Sequence, residues 1–156
     1  MKVEKQKSPE LARLASLVRQ MKVAMLTTIE PDGSLRSRPL QTLELDSAGR
    51  LWFFTQEHSP KSAAIEAHDH QVNLSYADPR DEDFVSVSGT ARLVRDQDKM
   101  RELWDSSLSS WFPRGLDEPD LALLEVRIDK AEYWDVPQHE NAKISTGAGP
   151  MTQQPL

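Results

Sequence analysis

LWFFTQEHSPKS, residues 51–62, places four bulky apolar side chains directly before a run of polar ones. Bulky and aromatic side chains favour extended structure, so the first part predicts a β-strand over residues 50–55. Pro60 suits the first position of a helix, and the Ala and Glu content after it predicts a short helix over residues 60–68. The junction is then either a strand closed by a solvated loop or a site for a ligand with an apolar end and an anionic end.

Further short strands are predicted on both sides of this junction. Residues 23–29 and 34–45 precede it, separated by the turn residues EPDG at 30–33; residues 71–77, 84–95, 121–128 and 131–136 follow it. Pro39 cannot donate a ladder hydrogen bond and therefore marks an edge or a bulge. Six or seven strands joined mainly by short turns, with single helices between them, predict a small β-barrel with peripheral helices.

A helix start is predicted at Ser8, Pro9 and Glu10, which supply a capping hydroxyl, a first-position proline and a first-turn acid. Apolar residues at spacings of three and four follow, so we expect a helix over residues 8–21 whose apolar stripe packs on the barrel. A further helix is expected from Asp96 to Trp104. Residues 1–136 are expected to form one domain, whereas residues 137–156 have little to bury and are expected to be a disordered or loosely held tail.

The overall composition excludes several classes of protein. A 156-residue chain with a net charge of −6 has no large basic surface, so a nucleic-acid partner is not expected. The absence of cysteine excludes disulfides, thiolate metal sites and thiol catalysis. No window approaches the ~18 apolar residues of a membrane span, so we expect a cytoplasmic protein without membrane contact.

A candidate anion site combines the strand before the junction with the junction itself. Arg36 and Arg38 lie on one face of their strand because side chains alternate, and Ser59 and Lys61 lie at the helix start. Two guanidinium groups, an ammonium group, hydroxyls and unpaired helix N–H groups are what phosphate recognition requires. The alternative is that Arg36 and Lys61 are solvated charges and that Arg38 pairs with an acid such as Glu44.

Large aromatic side chains also occur outside the regular apolar pattern. Trp111 and Phe112 lie in a segment rich in Ser, Pro and Gly, so they must be buried against a partner subunit or a flat ligand. Tyr133 and Trp134 face opposite sides of one strand, and one of them is expected outside the core.

Metal and catalytic motifs are not evident. His58, His68 and His70 are close in sequence, but no third ligand has a characteristic spacing, so no metal site is expected. The chain lacks the glycine-rich phosphate loop and the G-x-G-x-x-G, G-x-S-x-G and H-E-x-x-H motifs. No nucleophile–base pair can be named, so catalytic residues are not assigned.

The order of these fragments resembles a known family. A strand ending in F-F-T before S-x-K, an earlier S-R-P-L strand, and later W-F-P-x-G and Y-W-D are similar to the general stress protein branch of the FMN-binding split-barrel superfamily, which also contains pyridoxamine 5′-phosphate oxidase. The resemblance runs from about residue 11 to residue 135, and the five fragments in order are fairly specific. It implies a six-stranded antiparallel split β-barrel that forms a homodimer with flavin at the subunit interface.

The resemblance, carried over by position, also implies which residues bind the cofactor. They are Ser37, Arg38, Pro39, Phe54, Thr55, Ser59, Lys61 and Trp111. The first three would line the flavin and phosphate region, while Phe54 and Thr55 would pass under the isoalloxazine ring and bond through backbone groups. Ser59 and Lys61 match the phosphate-binding segment, and Trp111 would reach the flavin pocket from its loop. The implied cofactor is FMN, with FAD as the alternative.

One departure from the family bears on the expected activity. The oxidase itself carries basic motifs that hold its substrate's phosphate, whereas this chain has no arginine after Arg127, which argues against pyridoxamine phosphate oxidase activity. The expected function is that of an FMN-binding general stress protein, as a flavin-dependent oxidoreductase with an undefined substrate. The alternative is a non-catalytic flavin-binding, small-ligand-binding or interaction barrel. Haem is a further option, which the lack of a clearly placed axial histidine disfavours.

Overall fold

The computed structural model describes residues 1–68 and 70–146. Within these ranges the strands are β1 (Lys2–Val3), β2 (Val23–Ile29), β3 (Leu35–Gln41), β4 (Glu44–Leu45), β5 (Arg50–Gln56), β6 (Gln71–Asp78), β7 (Asp83–Val94), β8 (Leu121–Asp135) and β9 (Glu140–Ser145). The helices are α1 (Pro9–Met21), α2 (Pro60–Ala67) and α3 (Gln97–Leu103), with short 3-10 turns at Ser106–Ser110 and Gly115–Asp117. None of the helices in the described residues is long and apolar enough to cross a membrane.

The strands form one sheet whose long members all pair antiparallel. Its order is β1-β4-β5-β8-β7-β6-β2-β3, and β9 also pairs with β8. Strand β8 belongs to both halves of the sheet, because residues 121–127 pair with β5, residues 130–135 pair with β9, and β7 runs along the other edge. This open antiparallel sheet with peripheral helices is consistent with a split barrel and confirms the predicted fold class.

The number of strands differs from the six that the resemblance implies, since nine are present in the described residues. Residues 34–45 form two strands instead of one, because β3 ends at Gln41 and β4 pairs with β5 on a different edge. Residues 121–128 and 131–136, predicted as separate strands, are joined in the continuous β8. The register shifts between Ser88 and Gly89 of β7, where Asp129 of β8 is the extra residue of a bulge, and this allows the pair to bend without breaking the long strand.

Strand β9 corrects the boundary of the predicted tail. The polar composition after residue 136 predicts no regular structure, whereas Glu140–Ser145 pairs with the second half of β8. Ile144 is 8% exposed and belongs to the main core, and Arg13 of α1 lies 3.7 Å from Glu140. The unpaired edge of β8 supplies backbone partners, which composition alone does not reveal. Residues 147–156 of the predicted tail lie outside the described residues.

Strand β5 is buried on both faces, which explains its continuous apolar sequence. Leu51 and Phe53 join the main core together with α1 and strands β2, β6 and β7. Trp52 and Phe54 join a second cluster, which α3 and the 3-10 turn at Ser106–Ser110 cover. A strand covered on both sides has no polar face.

Helix α1 packs on the sheet through one face. Ser8 caps it, since its Oγ accepts a hydrogen bond from the Leu11 N–H at 3.2 Å. The buried side chains of Leu14, Leu17 and Val18 lie in the main core, and the helix contacts β6 and β7. The apolar stripe therefore seals the side of the sheet away from α3.

Gly89 lies where β7 approaches β8 too closely for a side chain. An added Cβ would lie 2.5 Å from the Arg127 carbonyl oxygen and 2.6 Å from Val126 Cγ1.

We expect Gly89→Ala to lower the free energy of unfolding by about 1–3 kcal/mol, because the two backbones must move apart. Urea denaturation followed by tryptophan fluorescence measures the change. Ser88→Ala is the matched control and should change it by less than about 0.5 kcal/mol; equal losses would contradict the close approach.

Candidate functional site

The end of β5 and the start of α2 are tied together by side-chain hydrogen bonds. Ser59 caps α2, since its Oγ accepts from the Ser62 N–H at 3.2 Å, and Ser62 Oγ donates to the Gln56 carbonyl at 3.3 Å. Lys61, in the first turn of α2, donates from Nζ to Thr55 Oγ1. Thr55 is 1% exposed, so the lysine is directed back onto the strand and not into solvent.

Arg38 of β3 is held by two side chains from β2 and the turn after it. Its Nη1 donates to Thr28 Oγ1 at 2.6 Å, and its Nη2 donates to Glu30 Oε1 at 3.1 Å. The Arg38 side chain is half-buried by these contacts. Arg38 therefore pairs with an acid, as the alternative interpretation expects, but the acid is Glu30. Glu44, the acid named in that interpretation, pairs with Lys99 at 3.1 Å.

Arg36, Arg38 and Lys61 form a cation cluster at this junction. Burial, followed by the charges of Arg38 and Arg36, lowers the pKa of Lys61 to about 8. Burial and the Arg36 charge also lower the pKa of Arg38, against the opposing effect of Glu30. In the described part of the chain, Glu30 is the one carboxylate within 4.0 Å of these cations. The cluster therefore keeps an excess of positive charge.

The chemistry of the cation cluster suits an oxyanion. Like charges that repel one another are stabilised when a negatively charged group lies between them. Guanidinium groups offer paired donors that match phosphate or carboxylate oxygens, whereas the ammonium group acts as a point charge. The first turn of α2 adds partial positive charge from its backbone N–H groups.

An open backbone edge of β5 adjoins Thr55. Strand β4 pairs with Leu51 and Trp52 and stops there, and the Trp52 carbonyl accepts from the Leu43 N–H at 2.9 Å. Backbone groups of an antiparallel strand alternate between its two edges, so those of Phe54 point to the same edge as those of Trp52. No strand within residues 1–68 and 70–146 pairs with Phe54 on that edge. Its N–H and C=O groups therefore have no strand partner on that edge within these residues.

The side chain of Phe54, in contrast, packs inward. It is 2% exposed and makes edge-on contacts with Trp104 and Phe112, at ring-centroid distances of 5.7 Å and 6.2 Å. Trp111 is 41% exposed, and no hydrogen bond or ring contact of the described residues joins its side chain to the cation cluster. Within one chain, the loop thus presents Trp111 as an aromatic surface separate from the cations.

Ser37 and Pro39 project from the face of β3 opposite to Arg38, because neighbouring side chains alternate. Both are exposed. Ser37 Oγ lies 2.6 Å from Thr27 Oγ1, and Pro39 is in register with Met25. The single chain therefore places these two residues on the outer surface of β2 and β3, away from the Arg38 guanidinium.

Half of the predicted cofactor residues come together in one chain. These are Arg38, Thr55, Ser59 and Lys61. Thr28 and Glu30 join them through Arg38, and neither is predicted from the sequence. In the β2–β3 hairpin, Thr28 lies opposite Arg36. The length of the hairpin turn sets this register, so the turn length is the signal in the sequence that predicts the positions of Thr28 and Glu30.

A second group of titratable side chains lies at the start of the same connection. His58 Nδ1 lies 2.6 Å from Asp120 Oδ1, and Glu57 completes a group whose ligand atoms lie within 4.8 Å of one another. Arg95 pairs with Glu57, and the His58 side chain is 81% exposed. Each of these side chains thus has a protein partner, and the group lacks the enclosure of a built metal site.

A comparison with protein families gives one matching model. Residues 9–154 match the model described as pyridoxamine 5′-phosphate oxidase like. The protein bli-3 of Neurospora crassa is 30% identical over 130 residues, which are 77% of this chain and 62% of that protein. The chain therefore spans less than two thirds of that relative's length.

Solved structures share the fold. A protein related to general stress protein 26, from Clostridium acetobutylicum, superposes with a TM-score of 0.74 at 19% identity, covering 87% of this chain and 94% of that one. A pyridoxamine 5′-phosphate oxidase-related, FMN-binding protein from Nostoc punctiforme gives a TM-score of 0.67 at 16% identity, covering 90% and 97%. At these identities the likeness concerns the fold alone.

Lys61 should make the stability of the ligand-free protein rise with pH. Its folded-state pKa of about 8 lies below the usual value for lysine, so the unfolded chain binds more protons between the two values and the free energy of unfolding increases with pH there. We expect this rise, over roughly pH 8 to 10, to disappear in Lys61→Met, which should also be more stable than the parent near neutral pH.

Urea denaturation across this pH range measures both effects. Lys22→Met, at an exposed position, is the matched control and should keep the rise. A pH-dependent rise in Lys61→Met as large as in the parent protein would show that another group causes it.

Proposed function

Because the chain belongs to the pyridoxamine 5′-phosphate oxidase-like family, we propose that it binds FMN, with the phosphate held by Lys61, Arg38 and Arg36. The observation that carries this proposal is the cation cluster, in which burial and two guanidinium groups lower the pKa of a lysine. Carboxylates of the protein balance only part of the positive charge of these side chains, and a phosphate dianion supplies the remaining negative charge. The hydroxyl of Ser59 and the first turn of α2 lie beside Lys61 and add donors.

The flavin ring is assigned to the open edge of β5. The backbone N–H and C=O groups of Phe54 have no strand partner there in the described residues, and a flavin ring has both donors and acceptors along its polar edge. The Phe54 side chain fixes this edge by packing against Trp104 and Phe112. When bound, FMN supplies the electron-transfer chemistry, and the chain contributes position, hydrogen bonds and exclusion of water.

A homodimer completes the proposed site. The outer surface of β2 and β3 exposes Val23, Met25 and Leu35, with exposed fractions of 42%, 42% and 72%. Exposed apolar residues grouped on one sheet face are typical of an interface, and a two-fold interface buries the same patch on both subunits. Ser37 and Pro39 lie on this face, so a second subunit would bring them, and Trp111 of the loop, towards a flavin shared by the two chains.

The site supports flavin binding more directly than it supports a defined catalytic step. Thr28, Thr55 and Glu30 are engaged in holding Arg38 and Lys61, so in the described residues they are not placed to move a substrate proton. The second candidate function is therefore a flavin-binding protein without turnover. Oxidation of NAD(P)H by the FMN-loaded protein, compared with free FMN, separates the two: acceleration supports a flavin-dependent oxidoreductase, and equal rates support binding alone.

Lys61→Met and Arg38→Met should each weaken FMN binding by about tenfold or more, since each removes a charge-assisted hydrogen bond to phosphate. Titration of the purified protein with FMN, followed by quenching of flavin fluorescence, measures the affinity. Riboflavin, which lacks the phosphate, should bind the two variants and the parent equally well. Lys22→Met is the exposed control. Unchanged FMN affinity in both variants, or equal losses for riboflavin, would contradict the phosphate assignment.

Met25→Glu should convert the dimer into a monomer, because it places a charge at the centre of the exposed apolar face. Multi-angle light scattering gives the mass, and circular dichroism shows that the fold is kept, since Met25 is not in the core. Lys5→Glu, at an exposed position near the N-terminus, should leave the mass unchanged. A parent protein that is monomeric with FMN bound would overturn the interfacial site.

A further inference from the structure

Lys61 differs from the other lysines of the chain in its surroundings. Lys2 and Lys99 pair with carboxylates, at 2.6 Å and 3.1 Å. The others are exposed: Lys5, Lys7, Lys22, Lys130 and Lys143. Lys61 is half-buried, its Nζ donates to the Thr55 hydroxyl, and its charged neighbours are guanidinium groups. The structure thus holds one amine in a fixed place beside two cations.

This arrangement favours nucleophilic chemistry at the amine. A neutral amine attacks carbonyl carbon, whereas a protonated one does not, and neighbouring cations combined with burial are a known way of activating a lysine. With its pKa lowered to about 8, Lys61 has a far larger neutral fraction near neutral pH than an exposed lysine. The hydrogen bond to Thr55 restricts the positions that Nζ samples, and the side chain is half-buried and not fully enclosed, so a small molecule can reach it.

We propose that Lys61 forms an imine with small aldehydes that carry a phosphate or carboxylate group, and that Arg36 and Arg38 hold the anionic group during the reaction. The Lys61 nitrogen forms a bond to the carbonyl carbon, and the carbonyl oxygen takes up a proton. The resulting carbinolamine loses this oxygen as water, with both hydrogens coming from the neutral amine. No oxidant or reductant is needed, and hydrolysis reverses the step.

The two arginines give the reaction its selectivity. Arg38 is fixed by Thr28 and Glu30 and keeps further N–H donors beyond these contacts, and Arg36 is exposed with no ion pair in the described residues. An aldehyde without an anionic group gains nothing from these guanidinium groups. The expected preference is therefore for anionic carbonyl compounds over neutral ones of the same size.

The inference concerns the same anion site as the proposed flavin function, but it does not require flavin to bind. Both ligands place an oxyanion against Arg36 and Arg38, and both occupy the Lys61 amine, FMN through its phosphate and the aldehyde through its carbonyl carbon. FMN should therefore protect Lys61 from the aldehyde by competition. Conversely, an aldehyde bound to Lys61 removes the ammonium charge that the flavin phosphate would use.

The test compares glycolaldehyde phosphate with glycolaldehyde on the flavin-free 156-residue chain. Sodium cyanoborohydride traps the imine as a stable secondary amine, and peptide mapping by mass spectrometry gives the extent of modification at each lysine. With the phosphorylated aldehyde, we expect Lys61 to be modified about tenfold faster than Lys5 or Lys22. With glycolaldehyde, this advantage should fall several-fold. The exposed lysines serve as internal controls in the same sample.

Variants separate the role of each side chain. Arg36→Gln should reduce the preference for the phosphorylated aldehyde while Lys61 keeps a measurable rate with glycolaldehyde. Lys61→Arg keeps the charge and should abolish the modification at this position, and its urea denaturation curve reports whether the fold is kept. An unchanged preference in Arg36→Gln, with FMN giving no protection, would overturn the role of the guanidinium groups.

The outcomes distinguish this inference from the flavin proposal. Selective modification of Lys61 in a protein that does not bind FMN supports the imine and overturns flavin binding. Binding of FMN without faster modification of Lys61 than of the exposed lysines overturns the imine and leaves flavin binding supported. Equal modification of all lysines by both aldehydes also overturns the imine.

Discussion

One long strand connects the two halves of the sheet by pairing with three others. Strand β8 pairs with β5, β7 and β9, so it carries both halves of the sheet. A straight 15-residue strand would keep those halves in one plane, whereas the bulge at Asp129, opposite the step from Ser88 to Gly89, bends the pair that β8 forms with β7. Position 89 tolerates only glycine, because the Arg127 carbonyl occupies the space of a side chain.

The candidate site lies where strand β5 has no pairing strand on one edge in the described residues. Strand β4 is two residues long and covers only the first half of β5, so no strand within residues 1–68 and 70–146 pairs with the backbone beyond Trp52 on that edge. Helix α2 begins at the end of that edge, and the Lys61–Thr55 and Ser62–Gln56 hydrogen bonds fix its first turn against the strand. The hairpin of β2 and β3 then brings Arg38 towards the same junction. A cofactor with a flat polar ring and a terminal phosphate matches both parts.

Function and stability oppose each other at the cation cluster. A half-buried lysine beside two guanidinium groups destabilises the folded chain, and Glu30 balances only part of that charge. Removing the lysine would stabilise the empty protein and weaken the binding of an anion. Side chains that are unfavourable without a ligand often mark binding sites. We infer from these surroundings both that Lys61 contacts a bound phosphate and that it is a better nucleophile than the exposed lysines, so one cluster supports both proposals.

Local patterns in the sequence predicted the mainly β class, the helix starts and the strand–helix junction at residues 51–62, because alternation, capping and turn residues are local properties. They also put Arg38, Ser59 and Lys61 among the candidates. The tertiary structure was needed to show that Glu30 pairs with Arg38, that Ser37 and Pro39 face the other side of β3, and that a polar segment becomes β9. These outcomes depend on register and on which edges remain unpaired. Both are set by contacts between residues distant in the chain, so no local pattern contains them.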